Sequence, residues 1–235
     1  MSTPGFDPAS ERELAMFPLG TVVFPHALLP LHVFEPRYRA MVRDLLAGDG
    51  EFGVVLIERG SEVGGGDVRA RVGTITRLVQ VSELPDGRFA LTTVGVVGCD
   101  IVSWFPDDPY PRALVRPRRD PDLSADDQER AVALVDTVTT RLREVWSLHA
   151  RLDPRVVAPA DLEIAGAEVA AAPDDVVGAA VSTASYLLCG RAPVGPFDAQ
   201  RLLEAPDALA RLEYLIAMLD DEVAVVRAQL DEREP

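Results

Sequence analysis

The hydrophobic pattern of this 235-residue chain changes near residue 119, and this change constrains the fold more than any other feature. Residues 13–118 contain several β-rich runs and one helical pattern, whereas residues 119–235 carry apolar side chains at helical spacing. Residues 1–12 are polar and contain proline and glycine, which is typical of a mobile terminus. The sequence therefore predicts an α+β chain with a tail at 1–12, a β-rich subdomain at 13–118 and a helical subdomain at 119–235.

The β-rich part contains a clear hairpin signal. Two β-rich runs, 73–84 and 88–99, are joined by a Pro-Asp-Gly turn, in which proline presets the backbone and glycine accepts positive φ. Residues 52–57 form a continuous apolar run, as expected of a strand buried on both faces. A helix is predicted to begin at Pro36, because proline has no N–H to leave unpaired in the first turn. Two shorter strands are predicted at 101–105 and 113–116.

Capping residues and apolar spacing predict four helices in the second half. Ser124 is expected to cap the first helix, and Asp207 the last and longest. A further helix is predicted at 174–188, and Asp198 is expected to cap a short one. The pattern over 151–173 predicts no particular element.

The last helix carries an apolar stripe in which spacings of three and four alternate, so it must be buried against another surface. Its members are Leu209, Leu212, Ile216, Leu219, Val223, Val226 and Leu230. Such a stripe is also typical of a coiled-coil dimer. We favour packing against the apolar stripe between Ala131 and Val145 of the same chain, and hence a monomer, with the dimer as the alternative.

The charge balance argues against two classes of partner. All 23 basic residues are arginine, and the 38 acidic residues give a net charge of −15 and a pI near 4.6. Nucleic acids and anionic membranes are both bound mainly by basic groups, so neither is expected as a partner. The one basic stretch, 112–119, is interpreted as a strand end and a linker. The absence of lysine and asparagine is typical of a GC-rich, bacterial genome.

No residue pattern indicates catalysis, a cofactor or a metal. The glycine-rich segment 61–67 lacks the Gly-Lys-Ser/Thr that completes a phosphate-binding loop, so we interpret it as a flexible loop. Without lysine, the chain also has no base for a Ser–Lys protease. The spacings of His26, His32 and His149 match no zinc motif. We therefore expect no catalytic, cofactor-binding or metal-binding residues.

Cysteine usage and hydropathy place the chain in the cytoplasm. Cys99 and Cys189 are too few for a disulfide framework and are interpreted as buried thiols. Residues 1–12 have no apolar core of a signal peptide. The longest apolar stretch, 22–34, is broken by prolines and histidines and is too short to span a bilayer.

Three aromatic residues stand out as a candidate protein-binding surface. Trp104, Phe105 and Tyr110 flank a loop of proline and aspartate at 106–109. Large aromatic side chains beside a rigid polar loop often mark protein-binding surfaces. The alternative is a strand end folded over the core.

One segment carries a family resemblance. Residues 16–41 resemble the opening of the Lon protease N-terminal domain, also called the Lon substrate-binding domain. The matching stretches are Phe17-Pro-Leu19, Phe24-Pro25, Leu29-Pro-Leu31 and Phe34-Glu-Pro-Arg-Tyr-Arg39, followed by 52–57, 73–78, Val94-Gly95 and 200–205. The similarity covers most of residues 13–225 and is weakest at 151–196.

The resemblance implies a PUA-like β pseudo-barrel followed by a helical bundle, in a domain that helps Lon proteases recognise unfolded substrates. It further implies a stand-alone, non-catalytic module, an adaptor or quality-control factor that binds exposed protein segments. Because PUA-like folds often bind RNA, RNA binding is the alternative function, together with small-molecule binding. The motif residues themselves have a structural interpretation: Phe34 and Tyr38 can pack, and Glu35 can pair with an arginine.

Overall fold

A computed structural model describes the chain over residues 10–60, 66–159, 161–162, 164–173 and 175–233. The chain divides into two compact units between Arg119 and Asp120, one residue after the boundary expected from the sequence. In the described ranges the first unit holds six strands and one helix, and the second unit holds five helices. Residues 1–9 of the expected tail and 61–65 of the glycine-rich loop lie outside the described residues. The expected end of the tail was wrong, because Arg12 already belongs to the first strand.

Six strands of the first unit form a partly closed barrel. They are β1 (Arg12–Leu19), β2 (Leu28–Val33), β3 (Glu51–Arg59), β4 (Val68–Glu83), β5 (Phe89–Trp104) and β6 (Arg112–Arg118). The strand order is β2-β5-β4-β3-β1-β6, and β6 also pairs with β5, so every strand except β2 belongs to a closed circuit. Among the strand pairs of the described residues, only β1 and β3 are parallel. The expected α+β class with a β pseudo-barrel is confirmed.

Strand β5 connects the sheet because it pairs with three other strands. β4 follows it along one side, as the hairpin prediction requires. Its other side is shared: residues 89–94 pair with β2, and residues 98–104 pair with β6. The separate strand predicted at 101–105 is wrong, because no turn interrupts β5 before it ends at Trp104.

Gly95 occupies the point where β5 changes partners. Its N–H donates to the Ala27 carbonyl (2.9 Å), and its carbonyl accepts from the His26 N–H (2.8 Å). A Cβ at this position would lie 2.2 Å from the main-chain oxygen of Phe24. The close approach of this loop to β5 therefore requires glycine.

Helix α1 (Pro36–Ala47) covers one apolar cluster of the first unit. It begins at the predicted proline and buries Tyr38, Met41, Val42 and Leu45. The ring of Tyr38 stacks on Phe17 of β1, with 4.2 Å between centroids and an interplanar angle of 16°. Phe34, which we expected to pack, is 56% exposed, because the chain turns into α1 directly after β2 ends.

A second apolar cluster takes residues from all five strands of the closed circuit. Its fully buried members include Met16, Ile75, Cys99 and Val115. Complete burial of one such side chain contributes about 1.5–3 kcal/mol. This cluster therefore holds together strands that are far apart in the sequence.

The second unit is helical: α2 (Ala125–Leu152), α3 (Ile164–Ala171), α4 (Val177–Cys189), α5 (Pro196–Leu203) and α6 (Ala208–Asp231). Two predicted caps are confirmed, since the Ser124 side chain accepts from the Asp127 N–H and the Asp207 side chain from the Ala210 N–H. Among these helices, none has the length and apolar character needed to cross a membrane.

Two predicted helix starts need correction. α4 begins at Val177, later than the predicted residue 174, which lies outside the described residues. Asp198 does not cap α5: Gly195 is the N-cap and Pro196 follows it, so Asp198 lies inside the first turn. Proline is preferred at the first helical position, and its presence there moves the start of α5 upstream of the aspartate.

Helices α2 and α6 run parallel and pack side by side. Their ion pairs follow the same order along both helices, from Arg130–Glu213 (2.9 Å) to Glu144–Arg227 near the other end. The α6 stripe packs within its own chain, as favoured from the sequence. One predicted member of this stripe was wrong: Ile216 is only partly buried, and its neighbour Leu215 is fully buried instead.

A buried ion pair ties the start of the helical unit to α4 and α6. Arg211 is fully buried, and its Nη1 and Nη2 lie 2.8 and 2.7 Å from the two carboxylate oxygens of Asp120. Nη1 also donates to the Ser185 hydroxyl, Nη2 to the Tyr186 hydroxyl, and Nε to the Leu202 carbonyl. All five N–H groups of the guanidinium therefore have acceptors, as a buried arginine requires.

Candidate protein-binding surface

Trp104 and Phe105 lie where β5 ends and the loop to β6 begins. Both side chains are half-buried. Trp104 packs against the apolar cluster that contains Met16, and the Phe105 N–H donates to the Arg112 carbonyl (2.9 Å). Part of each ring thus contributes to the fold and part remains accessible. We call these two residues the aromatic edge.

Arg69 of β4 lies against Trp104 of the aromatic edge. Its guanidinium carbon lies 4.5 Å from the centre of the Trp104 ring. Nε donates to Asp67 (2.5 Å) and Nη2 donates to Asp107 of the β5–β6 loop (2.6 Å), so one arginine joins two carboxylates. Burial alone would raise the pKa of Asp67, but the hydrogen bonds and charge of Arg69 outweigh it and lower the pKa. The loop beside the aromatic edge is therefore held in one geometry.

Tyr110 does not belong to the accessible part of this surface. Its ring is buried in the cluster under α1, and its hydroxyl donates to Asp44 of that helix (2.7 Å). Burial, reinforced by the hydrogen bond to this carboxylate, raises the pKa of Tyr110 to about 12. Of the three aromatic residues proposed from the sequence, Trp104 and Phe105 remain as surface candidates.

A groove on the outer face of the sheet was not found from the sequence. It crosses β2, β5 and β4, and its volume is about 410 Å³. We call it the sheet groove. Its lining residues are Pro30, Leu31, His32, Gln80, Ser82, Ala90, Leu91 and Thr92. Accessibility alternates along β2, with Leu28, Pro30 and His32 exposed. In the sequence, only Pro30 and His32 on either side of Leu31 hinted at such a face.

The three histidines are separated. His32 lines the sheet groove, whereas His26 is an exposed loop residue with a φ of 67°. His149 of α2 lies 2.8 Å from Glu222 of α6. Across the part of the chain that the structure describes, no three His, Cys, Asp or Glu side chains form a group that could hold a metal ion.

The two cysteines, and the glutamate of the Phe34-Glu-Pro-Arg-Tyr-Arg39 motif, are occupied by packing or hydrogen bonding. Cys99 and Cys189 are both free and buried, and burial raises each pKa to about 12. Glu35, next to the first turn of α1, accepts a hydrogen bond from Arg37 (3.1 Å), as expected. These residues therefore provide neither a reactive nucleophile nor an isolated base.

Comparison with known proteins gives one consistent result. The family model described as the "ATP-dependent protease La (LON) substrate-binding domain" matches residues 13–221. The chain is 25% identical over 220 residues to a Lon protease of Syntrophomonas wolfei, and 25% identical over 224 residues to that of Escherichia coli K12. These matches cover 93% and 94% of the chain but only 25% and 26% of the relatives. The chain thus spans about a quarter of the length of these curated proteins.

Two solved structures share the fold. A Lon N-terminal domain protein from Xanthomonas campestris aligns with a TM-score of 0.56 and 24% identity, covering 88% of this chain and 98% of the other. The N-terminal domain of a Mycobacterium avium complex Lon protease aligns with a TM-score of 0.54 and 16% identity, covering 89% and 99%. At these identities the likeness concerns the fold alone.

Proposed function

This chain belongs to the family of Lon substrate-binding domains, and from that membership we propose that it is a module that binds exposed segments of other proteins at the aromatic edge. The family description names substrate binding, and the substrates of a protease are polypeptides. The aromatic edge is the surface on which the proposal rests.

One observation carries this choice of surface: Trp104 and Phe105 are both partly exposed, and each ring already has an arginine beside it, Arg69 at Trp104 and Arg112 at Phe105. Aromatic side chains dominate the binding energy of many protein interfaces. A surface that is already ordered loses less conformational entropy on binding than a mobile one. Arg69 covers one face of Trp104, so a partner would contact the remaining edge of this ring and the neighbouring Phe105.

We assign the chain no catalytic role. Its basic residues are all arginine, so it offers neither the lysine of a phosphate-binding loop nor the base of a Ser–Lys dyad. Both thiols are buried and protonated at neutral pH. Purified protein should therefore neither hydrolyse ATP nor degrade casein, and either activity, if abolished by a point substitution in this chain, would contradict the assignment.

The binding test uses a reduced and alkylated protein that cannot refold, labelled with a fluorophore for anisotropy. Phe105→Ala should weaken binding by about thirtyfold, since truncating an aromatic hot-spot residue costs about 2 kcal/mol or more. Trp104→Ala should weaken it as well, but this ring also packs on the core. Circular dichroism must therefore show that each variant remains folded.

Phe197→Ala is the matched control. Phe197 is 60% exposed on α5 in the helical unit, so the substitution removes the same side chain at a position far along the chain from the aromatic edge. It should leave the affinity unchanged. Equal losses for Phe105→Ala and Phe197→Ala would indicate nonspecific adhesion, and no loss for Phe105→Ala would remove the aromatic edge from the proposal.

We further propose that the module acts as an adaptor or quality-control factor. In that role it would present captured segments to a protease. Adding the purified chain to a full-length Lon protease should change the rate at which an unfolded substrate is degraded, and Phe105→Ala should reduce this change. An unaltered rate at saturating concentrations would reject the adaptor role without affecting the binding proposal.

A further inference from the structure

The sheet groove has a definite construction. The strand register places Pro30 opposite Thr92 and His32 opposite Ala90 between β2 and β5, and it continues from β5 to β4. Two rows therefore cross the three strands: Pro30–Thr92–Gln80 and His32–Ala90–Ser82. The small side chain of Ala90 lies in the middle strand, between larger side chains on β2 and β4, which makes this face concave.

The lining of the sheet groove is uncharged in a strongly acidic chain. None of its eight residues is aspartate, glutamate or arginine, although the chain has a net charge of −15. The polar groups are an imidazole, an amide and hydroxyls, and the apolar side chains are those of Pro30 and Ala90, since Leu31 and Leu91 pack into the cluster under α1. Such a lining offers hydrogen bonds and apolar contact but no arginine, aspartate or glutamate to balance the charge of a ligand, which favours an uncharged ligand.

Addition of a partner strand at the edge of the sheet is disfavoured. Among the described strands, β2 pairs with β5 alone, so its other edge could in principle receive another chain. Pro30, in the middle of β2, has no N–H to donate to such a strand. A ligand is therefore expected on the face of the sheet, where the groove lies, rather than along its edge.

We propose that the sheet groove binds an extended, uncharged stretch of another polypeptide, as a second contact surface besides the aromatic edge. Two rows of side chains on three strands cover about 7 by 10 Å, which matches roughly two or three extended residues. The inference rests on the proposed binding of protein segments and specifies the side chains that this surface accepts. Amide groups of the ligand backbone would pair with Gln80, Ser82 and Thr92, and small apolar side chains would lie against Pro30 and Ala90.

The test uses two capped peptides of valine, serine and glycine, one of which has glutamate in place of each serine. Calorimetry should show that the uncharged peptide binds the full chain at least about tenfold more tightly, because the groove contains no arginine to balance a carboxylate and the chain as a whole is acidic. Amide NMR shifts should localise the binding to Ala90 and Thr92. Gln80→Glu with Ser82→Glu should weaken binding of the uncharged peptide by a similar factor, and both positions are exposed, so folding should persist.

Thr21→Glu provides the control, since it adds the same charge at an exposed position of the same unit outside the groove. Equal binding by wild type and the doubly substituted groove variant would overturn the inference, as would a dimer that the groove substitutions dissociate. Suppose that Phe105→Ala no longer binds the unfolded protein, whereas the doubly substituted groove variant still binds both the unfolded protein and the uncharged peptide. The aromatic edge alone would then account for binding. If the wild-type chain binds no unfolded protein, the proposed function itself fails.

Discussion

The buried pair Asp120–Arg211 allows a quantitative test of what stabilises the helical unit. The Asp120 carboxylate is 9% exposed, and Arg211 is fully buried. Asp120→Asn keeps the shape but leaves the guanidinium without a counter-charge. Breaking a buried ion pair in this way typically costs about 3–5 kcal/mol, and a domain of this size has about 5–15 kcal/mol in total. We therefore expect Asp120→Asn to remove a large fraction of the stability of this unit.

A double-substitution cycle separates the ion pair from its surroundings. Of the two single variants, Arg211→Met leaves a buried carboxylate and Asp120→Leu leaves a buried guanidinium. The double variant, Asp120→Leu with Arg211→Met, replaces both charges by apolar groups. The double variant should be more stable than the sum of the single changes predicts, by about 2 kcal/mol or more, since no unpaired charge remains. Some cost should persist, because the hydroxyls of Ser185 and Tyr186 lose an arginine donor.

Urea unfolding followed by circular dichroism at the helical band measures these free energies. Additive costs, or a loss below about 1 kcal/mol for Asp120→Asn, would refute this account of the pair. Acid provides a second test. Burial alone would raise the pKa of Asp120, but the hydrogen bonds and charge of Arg211 outweigh it and lower the pKa. The stabilisation is therefore present at neutral pH and is lost as the pH falls from the ordinary aspartate pKa through the lowered one, and Asp120→Asn should abolish this dependence.

Three further outcomes can be measured on the same protein. In urea unfolding, Leu215→Ala should cost about 2–5 kcal/mol and Ile216→Ala at most about 1.5 kcal/mol, because only Leu215 is fully buried; equal costs would contradict the packing of α6. Cys99 and Cys189 should resist iodoacetamide at pH 8 in the folded protein, since burial raises both pKa values to about 12, and mass spectrometry should find them alkylated only in denaturant. Gly95→Ala should cost about 1–3 kcal/mol in a thermal or urea melt, because its methyl group would meet a main-chain oxygen 2.2 Å away; an unchanged melt would show that the loop can move aside.

Features that depend only on residues close together in the sequence could be predicted. Pro36, Ser124 and Asp207 each mark a helix start through the hydrogen bonds and dihedral angles of a single turn. The hairpin at 85–87 is equally local. The prediction that Asp198 caps α5 was wrong because of an equally local effect: Pro196, two residues earlier, occupies the first position of the helix.

Features that depend on tertiary contacts could not be predicted in this way. Arg69 meets Asp107 and Arg211 meets Asp120 only after the chain has folded, and a sequence with many arginines and aspartates offers many such pairings. The choice between Leu215 and Ile216 has the same origin, since spacings of three and four both fit a helix and the neighbouring helices decide between them. The sheet groove exists because β2, β5 and β4 align side by side, and the sequence contains no local sign of that register.

The closed circuit of strands has a consequence for synthesis of the chain. β1 pairs with β6, and about a hundred residues separate the paired positions, such as Arg12 and Val115. A ribosome adds about 5–20 residues per second, so β1 leaves the exit tunnel roughly 5–20 s before β6 does. During that interval β1 can pair only with β3, so the cluster that buries Met16 lacks the residues that β6 contributes. The circuit of five strands can therefore close only when β6 emerges.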